Sequence, residues 1–164
     1  MWMIILGIDP GTARVGWAII DPKKIHRDSV SYGCLTTEKM KSPENRLKKI
    51  YIDLLSVIDT YKPDCVSVEN LYFSTNVKTA IAVGEARGVI LLAASMRNIP
   101  VYSYSPNVVK QTICGSGNAD KKQVQYMIKQ IIKLTEVPKP DDTADALALA
   151  LTHAYSYKLK DKTI

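Results

Sequence analysis

Two short apolar runs each end on a carboxylate: ILGID closes on Asp9 and CVSVE closes on Glu69. A third segment, DDTADALALALTHAY, carries Asp142 and Asp145. An ionised side chain at the end of a buried strand costs free energy unless something pairs with it. The plain reading of either strand-end acid alone is a turn cap or a salt bridge to a lysine; two such ends in one small chain weaken it. Spacing of i, i+3 on a helix puts Asp142 and Asp145 on one face. Asp141 suits the N-cap, and acids in a first turn favour the positive end of the helix dipole. That accounts for Asp141 and Asp142 but poorly for Asp145, which begins the apolar stripe Leu147, Leu149, Ala150, Leu151 and has no Arg or Lys within one turn. If Asp9, Glu69, Asp142 and Asp145 converge, their repulsion raises some of their pKa values and destabilises the fold. Divalent cations would neutralise that charge, and an all-carboxylate donor set suits Mg²⁺ or Mn²⁺ rather than zinc. Two such ions about 3.5–4 Å apart drive in-line displacement at phosphorus.

Those acids need a sheet and a final helix to position them. The pattern predicts a strand from Met3 to Asp9, a turn at Gly11-Thr12, a hairpin partner from Val15 to Ile20 and a third strand from Val30 to Thr37. Ser42-Pro43-Glu44 opens a helix whose apolar positions Leu47, Ile50, Tyr51, Leu54, Leu55 and Ile58 recur at helical spacing before Lys62-Pro63 stops it. A strand follows from Cys65 to Glu69, a long helix from Val77 to Met96 and a strand from Ile99 to Tyr104. Pro106 opens a short helix, GSGNAD is a loop, Lys121 to Leu134 is amphipathic and Thr143 to Tyr157 is the last helix. Three meandering strands followed by helix and strand in alternation imply a mixed sheet with helices on its faces. Asp9 and Glu69 share a sheet end only if their strands are neighbours.

With 164 residues the chain is expected to form one domain over 1–157, followed by a basic tail over 158–164. Apolar residues at 46% and charged residues at 23% are ordinary for a globular protein, and no apolar run is long enough to cross a bilayer. No secretory signal is visible, and a cytoplasmic location is expected. Cys34, Cys65 and Cys114 share no ligand spacing with one another or with His26 and His153, which argues against zinc. A net charge of +6 tilts the chain toward polyanions without deciding for them. Gly84 and Gly88, on one face of the long helix, each cost about 1 kcal/mol relative to Ala. Packing onto the sheet or onto a partner helix across a two-fold axis would account for them, and Arg87 between them reads as an ion-pair or interface residue.

Taken in order, GIDPGT, VSVEN, GEARG, VKQTICGSGNADKKQVQ and DDTADALALALTH resemble the RuvC family of Holliday-junction endonucleases. The resemblance runs from Ile4 to about Tyr155. It implies an α/β fold: a ribonuclease H-like mixed five-stranded sheet flanked by helices. It also implies a homodimer, two Mg²⁺ per subunit with Mn²⁺ able to substitute, and a branch-migration motor as partner. The family's catalytic, metal-binding acids fall on Asp9, Glu69, Asp142 and Asp145. The chain has Asp141 where the family commonly has a non-acidic residue; helical spacing to Asp145 and the family register both select Asp142. Two family lysines fall on Lys110 and Lys121, where an ammonium can bind a phosphate oxygen or stabilise the pentacovalent state. Lys122, Lys129 and Lys133 read physically as a solvated helix face. The family's aromatic three residues past the second acid falls on Tyr72, placed to stack on an unpaired base, with Phe73 turned inward. Tyr72, Asn76, Lys110, Lys121 and Lys122 are the candidate DNA contacts.

The expected function is therefore paired hydrolysis of opposed strands of a four-way junction, leaving 5′-phosphate and 3′-hydroxyl nicks, in recombination and repair. DPGT after a strand also suits the phosphate loop of actin-like kinases, but those need two such domains and the chain has no second phosphate loop. A junction-binding module without chemistry would lack one of the acids, all of which are present. A ribonuclease of the same fold is the remaining alternative.

Overall fold

A computed structural model describes residues 3–70 and 77–161, with side chains to 157. Tyr72, Phe73 and Asn76, named above as candidate contacts or neighbours, lie outside the described residues. β1 (Ile5–Asp9) and β2 (Arg14–Ile20) form the expected hairpin, and β3 (Ser31–Thr36) pairs antiparallel with β2. β4 (Cys65–Glu69) runs parallel to β1, and β5 (Val101–Tyr104) parallel to β4, giving the order β3-β2-β1-β4-β5. β1, β3 and β5 are each two residues shorter than their expected runs, β2 begins one residue earlier, at Arg14, and β4 has the expected bounds. The neighbouring of β1 and β4, which sequence alone left open, is thus settled.

Helices cover both faces. α1 (Pro43–Tyr61) begins at the expected proline and ends at Lys62, whose φ of 48° turns the chain out of the helix. It packs Ile50, Leu54, Val57 and Ile58 with Ala86, Ile90, Ala93 and Ala94 of α2 (Val77–Ser95) over Leu6, Ile8, Val15, Ile19 and Val66 of the sheet. The other face carries α5 (Asp141–Asp161), covered in turn by α3 (Pro106–Cys114) and α4 (Lys121–Ile132). Residues 146–154 of α5 are all buried, which is why its sequence is apolar on every side rather than striped.

α5 starts two residues earlier than its apolar pattern indicated and ends four residues later. Asp141 is consequently in the first helical turn, not the N-cap: its carboxylate accepts from Gln125 Nε2 at 3.2 Å instead of capping a backbone amide. The cysteines are free, and no described helix is long and apolar enough to cross a membrane.

Candidate active site

Alternation along a strand sends Ile5, Gly7 and Asp9 to the same face. Gly7 identifies that face, since a Cβ there would collide with the Ala146 carbonyl and with Ala150 of α5. On β4, Ser67 is buried and its Oγ donates to the Leu149 carbonyl of α5 at 2.7 Å, so Glu69, two residues on, also faces α5. The register Ile8↔Val68 brings Asp9 and Glu69 to adjoining strand ends on that face. From Leu149 back to Asp145 is one helical turn, a rise of about 6 Å, and from Ser67 to Glu69 is about 6.6 Å of strand. The Ser67–Leu149 bond therefore sets Asp145 over Glu69.

Asp142 is placed by a second close approach. Gly16 lies opposite Asp9 in the β1–β2 ladder, and a Cβ on Gly16 would fall on the Asp142 carbonyl. Only a residue without a side chain lets the first turn of α5 settle there. The two glycines on neighbouring strands thus fix the height at which α5 delivers its acids.

Asp9, Glu69 and Asp145 line one cleft of about 210 Å³ together with Lys110 of α3, Lys121 of α4 and an apolar wall that includes Val109, Val124, Ala148 and Leu149. Ser105 caps α3 by accepting from the Val108 amide, and Asp120 with Gln123 forms a capping box at the start of α4, so both lysines project from well-started helices. Lys121 Nζ stands 3.2 Å from Asp145 Oδ2 and 3.3 Å from Asp141 Oδ2.

The electrostatics follow from crowding acids beside an apolar wall. Burial, then Asp145, Glu69 and Asp142, push the Asp9 carboxyl from 3.8 up to about 8, against a smaller opposing pull from Lys121. Burial and Asp145 raise Glu69; burial raises Asp145 against Lys121. Burial pulls the Lys121 ammonium down, but its two aspartates outweigh that and hold it above its ordinary value. The carboxylate without an obvious partner at the end of ILGID is answered by other carboxylates, and such a cluster calls for added positive charge.

Asp142 stands apart from the cleft lining, with Arg14 Nη1 at 3.9 Å from its Oδ2. Lys122 is exposed on α4 and does not line the cleft either. Sequence reasoning named Lys121 but not its pairing with Asp145, and it missed Arg14 altogether. Lys121 reaches Asp145 from another helix, beyond a search within one turn. Arg14 sits where β2 begins, and its position across from the first turn of α5 became visible only with the sheet. Arg87, expected as an ion-pair or interface residue, donates hydrogen bonds to the Glu69 carbonyl and to Ser103 Oγ.

The donor chemistry fits a hard divalent cation, being all carboxylate oxygen. Among the described residues, no three acidic, imidazole or thiol groups already stand as a group able to hold an ion. Lys121 contributes the fixed positive charge against the cluster.

Residues 5–153 match the family model described as crossover junction endodeoxyribonuclease RuvC. The chain is 48% identical over 160 residues to the crossover junction endodeoxyribonuclease RuvC of Halothermothrix orenii, covering 98% of this chain and 97% of that one. It is 51% identical over 152 residues to that of Brevibacillus brevis, covering 93% and 92%. Its structure superposes on Thermus thermophilus RuvC in complex with a Holliday junction substrate with a TM-score of 0.88, at 33% identity and 96% coverage of both chains. The sheet order and the helices on both faces are those of the ribonuclease H-like fold. With matches spanning nearly its whole length and acids meeting at the end of its central strands, the chain belongs to the RuvC family of crossover junction endodeoxyribonucleases.

Proposed function

We propose that this chain resolves four-way DNA junctions by metal-dependent hydrolysis of phosphodiester bonds on opposed strands, leaving ligatable 5′-phosphate and 3′-hydroxyl nicks. The observation that carries the reading is the meeting of Asp9, Glu69 and Asp145 in one lysine-flanked cleft, within a chain of this family. Residues 1–157 act as the nuclease domain and 158–164 as a basic tail.

Asp9, Glu69, Asp142 and Asp145 would hold Mg²⁺, two ions per subunit with Mn²⁺ as substitute, and the bound metal would supply an activated water and charge stabilisation at the scissile phosphate. The chain's own residues do the rest. Lys121 exchanges its hold on Asp145 for a phosphate oxygen, and Lys110 approaches the phosphate from the α3 side. Val109, Val124, Ala148 and Leu149 form a dry wall against which these charges act through a lower dielectric than water. Tyr72 stacks on a base unpaired at the branch point; Asn76 and Lys122 contact the DNA backbone.

Two opposed cuts call for two such clefts related by a two-fold axis, which a homodimer provides. α2 supports that arrangement. Val77, Ile81, Gly88 and Leu92 are exposed and recur at four- and seven-residue intervals along one side of it. A Cβ at Gly88 would meet nothing within 4 Å, so packing onto its own sheet does not explain that glycine. A second copy of the same helix does, because glycine permits close approach. A branch-migration motor delivers the junction to this dimer.

The test is cleavage of a labelled synthetic junction with Mg²⁺, set beside linear duplex and an RNA–DNA hybrid. Paired nicks in the junction alone are expected, lost in Asp9→Asn. Equal cutting by Asp9→Asn, or preference for the hybrid, overturns the reading. Leu92→Lys is expected to shift the sedimenting species from dimer to monomer and to uncouple the paired cuts.

A further inference from the structure

Glu69 is the last residue of β4, so its placement depends on the hydrogen bonds made at this strand end. The Val66 amide donates to the Pro100 carbonyl and the Asn70 amide to the Tyr104 carbonyl, both on the β5 side. Alternation along β4 therefore turns the Glu69 carbonyl toward β1. The donor in register there is Pro10, which follows Asp9 and has no N–H. The ladder thus leaves the backbone of a site acid short of one hydrogen bond where the site needs it rigid.

Arg87 supplies the missing donor. Its Nε donates to the Glu69 carbonyl at 3.1 Å, while Nη2 of the same guanidinium donates to Ser103 Oγ at 2.8 Å on β5. The planar fork holds two neighbouring strand ends at once, from a residue on the opposite face of the sheet to α5. A lysine carries no such fork.

We propose that Arg87 is a positioning residue for the nuclease site, holding the Glu69 backbone in place of the hydrogen bond that Pro10 cannot make. The proposal rests on Glu69 being one of the site acids. It assigns the arginine of GEARG to the support of the active site, beyond the ion-pair or interface role read from its sequence.

The experiment compares Arg87→Met, Arg87→Lys and Glu69→Gln with the wild type. It reads steady-state and single-turnover junction cleavage across Mg²⁺ concentrations, metal-free junction affinity, and amide hydrogen exchange at Asn70 and Val66. Arg87→Met is expected to lower kcat about tenfold to a hundredfold, since a small misplacement of a reacting group costs on that order. KM and metal-free affinity should stay within about twofold, marking loss of an interaction that serves the reacting state. The Asn70 amide is expected to exchange about tenfold faster while Val66 is unchanged, a local opening at the β4 end. Arg87→Lys, able to reach one acceptor only, should fall between. Wild-type kcat and Asn70 exchange in Arg87→Met, with Glu69→Gln inactive, overturn the Arg87 assignment and leave Glu69 standing. Loss of junction binding with faster exchange throughout also overturns it, since Arg87 would then hold the fold rather than the acid. Wild-type cleavage by Glu69→Gln instead removes the premise, and Asn70 exchange still reports whether Arg87 holds that strand end.

Discussion

The Lys121 ammonium stands 3.2 Å from the Asp145 carboxylate, joining the first residue of α4 to the first turns of α5 across the mouth of the cleft. This pair is half exposed and contributes little to stability. Its importance is electrostatic, because Lys121 opposes the upward shift of Asp9, Glu69 and Asp145 alike. Lys121→Met is therefore expected to leave thermal stability within about 1 kcal/mol. Cleavage should fall about a hundredfold or more, as for loss of a donor to developing charge. The slope of junction affinity against salt should lose about one phosphate contact. Single-turnover rates and a binding titration at several salt concentrations check both.

Asp9 makes the metal-free protein sensitive to pH. Its carboxyl titrates near 3.8 when exposed and near 8 in the fold, so the folded state binds the extra proton between those values. The stability that Asp9 contributes is accordingly full below the lower value and is lost as pH rises toward 8, where the buried charge must form. Asp9→Asn removes that penalty. In chelator, its thermal midpoint is expected to exceed the wild type's at pH 8 by at least 2–4 °C, about 1 kcal/mol for a chain of this size, with little difference at pH 4. Scanning calorimetry at both pH values decides it; an equal gap at the two would show that Asp9 is not the titrating group. Mg²⁺ should stabilise the wild type at pH 8 more than it does Asp9→Asn.

How much of this was legible beforehand depends on the range of the interaction concerned. The strand ends at Asp9 and Glu69 could be read from local apolar runs, and the helix carrying Asp142 and Asp145 from its own spacing. The adjacency of β1 and β4 could not, because register between distant strands leaves no trace in either strand alone. The ends of α5 were not readable in the same way, because residues 146–154 are buried on all sides and carry no stripe that would mark where the helix begins and stops. Gly7 and Gly16 gave the missing signal in hindsight: a glycine inside a strand marks close approach of another backbone. Here the approach is α5 in both cases. Arg87 was visible as a charge in an apolar helix, but its acceptor is a carbonyl, which sequence does not display.

Ser67 tests whether α5 is held at the right height by a single bond. Its hydroxyl is fully buried and donates to Leu149, whose amide carbonyl lies one turn from Asp145. Ser67→Ala removes that donor and is expected to cost about 1–3 kcal/mol. Ser67→Cys, keeping a weak donor, should cost less. Urea unfolding measures the loss, and cleavage rates are expected to drop with stability because Asp145 loses its register over Glu69.

Gly16 separates position from stability most cleanly. A Cβ at this site would occupy the space of the Asp142 carbonyl and press on the Thr143 amide, both backbone atoms that cannot rotate aside. The only relief is for the first turn of α5 to lift away from β2. That turn is at the surface end of the helix, and Asp141 and Asp142 beyond the clash are exposed or half-buried. Gly16→Ala should then cost about 1–3 kcal/mol, the ordinary range for overpacking. Gly7→Ala strikes the fully buried middle of α5 at Ala146 and Ala150 and should cost more. Cleavage should order the other way once both variants are compared at a temperature where each is folded: Gly16→Ala displaces Asp142 directly, whereas Gly7→Ala acts a full turn further from it. Junction affinity in chelator is expected to change little in Gly16→Ala, since Lys110 and Lys121 lie on other helices. If Gly16→Ala instead cuts at the wild-type rate while its unfolding midpoint drops, the seat of α5 on β2 serves the fold alone and Asp142 need not stand where it does.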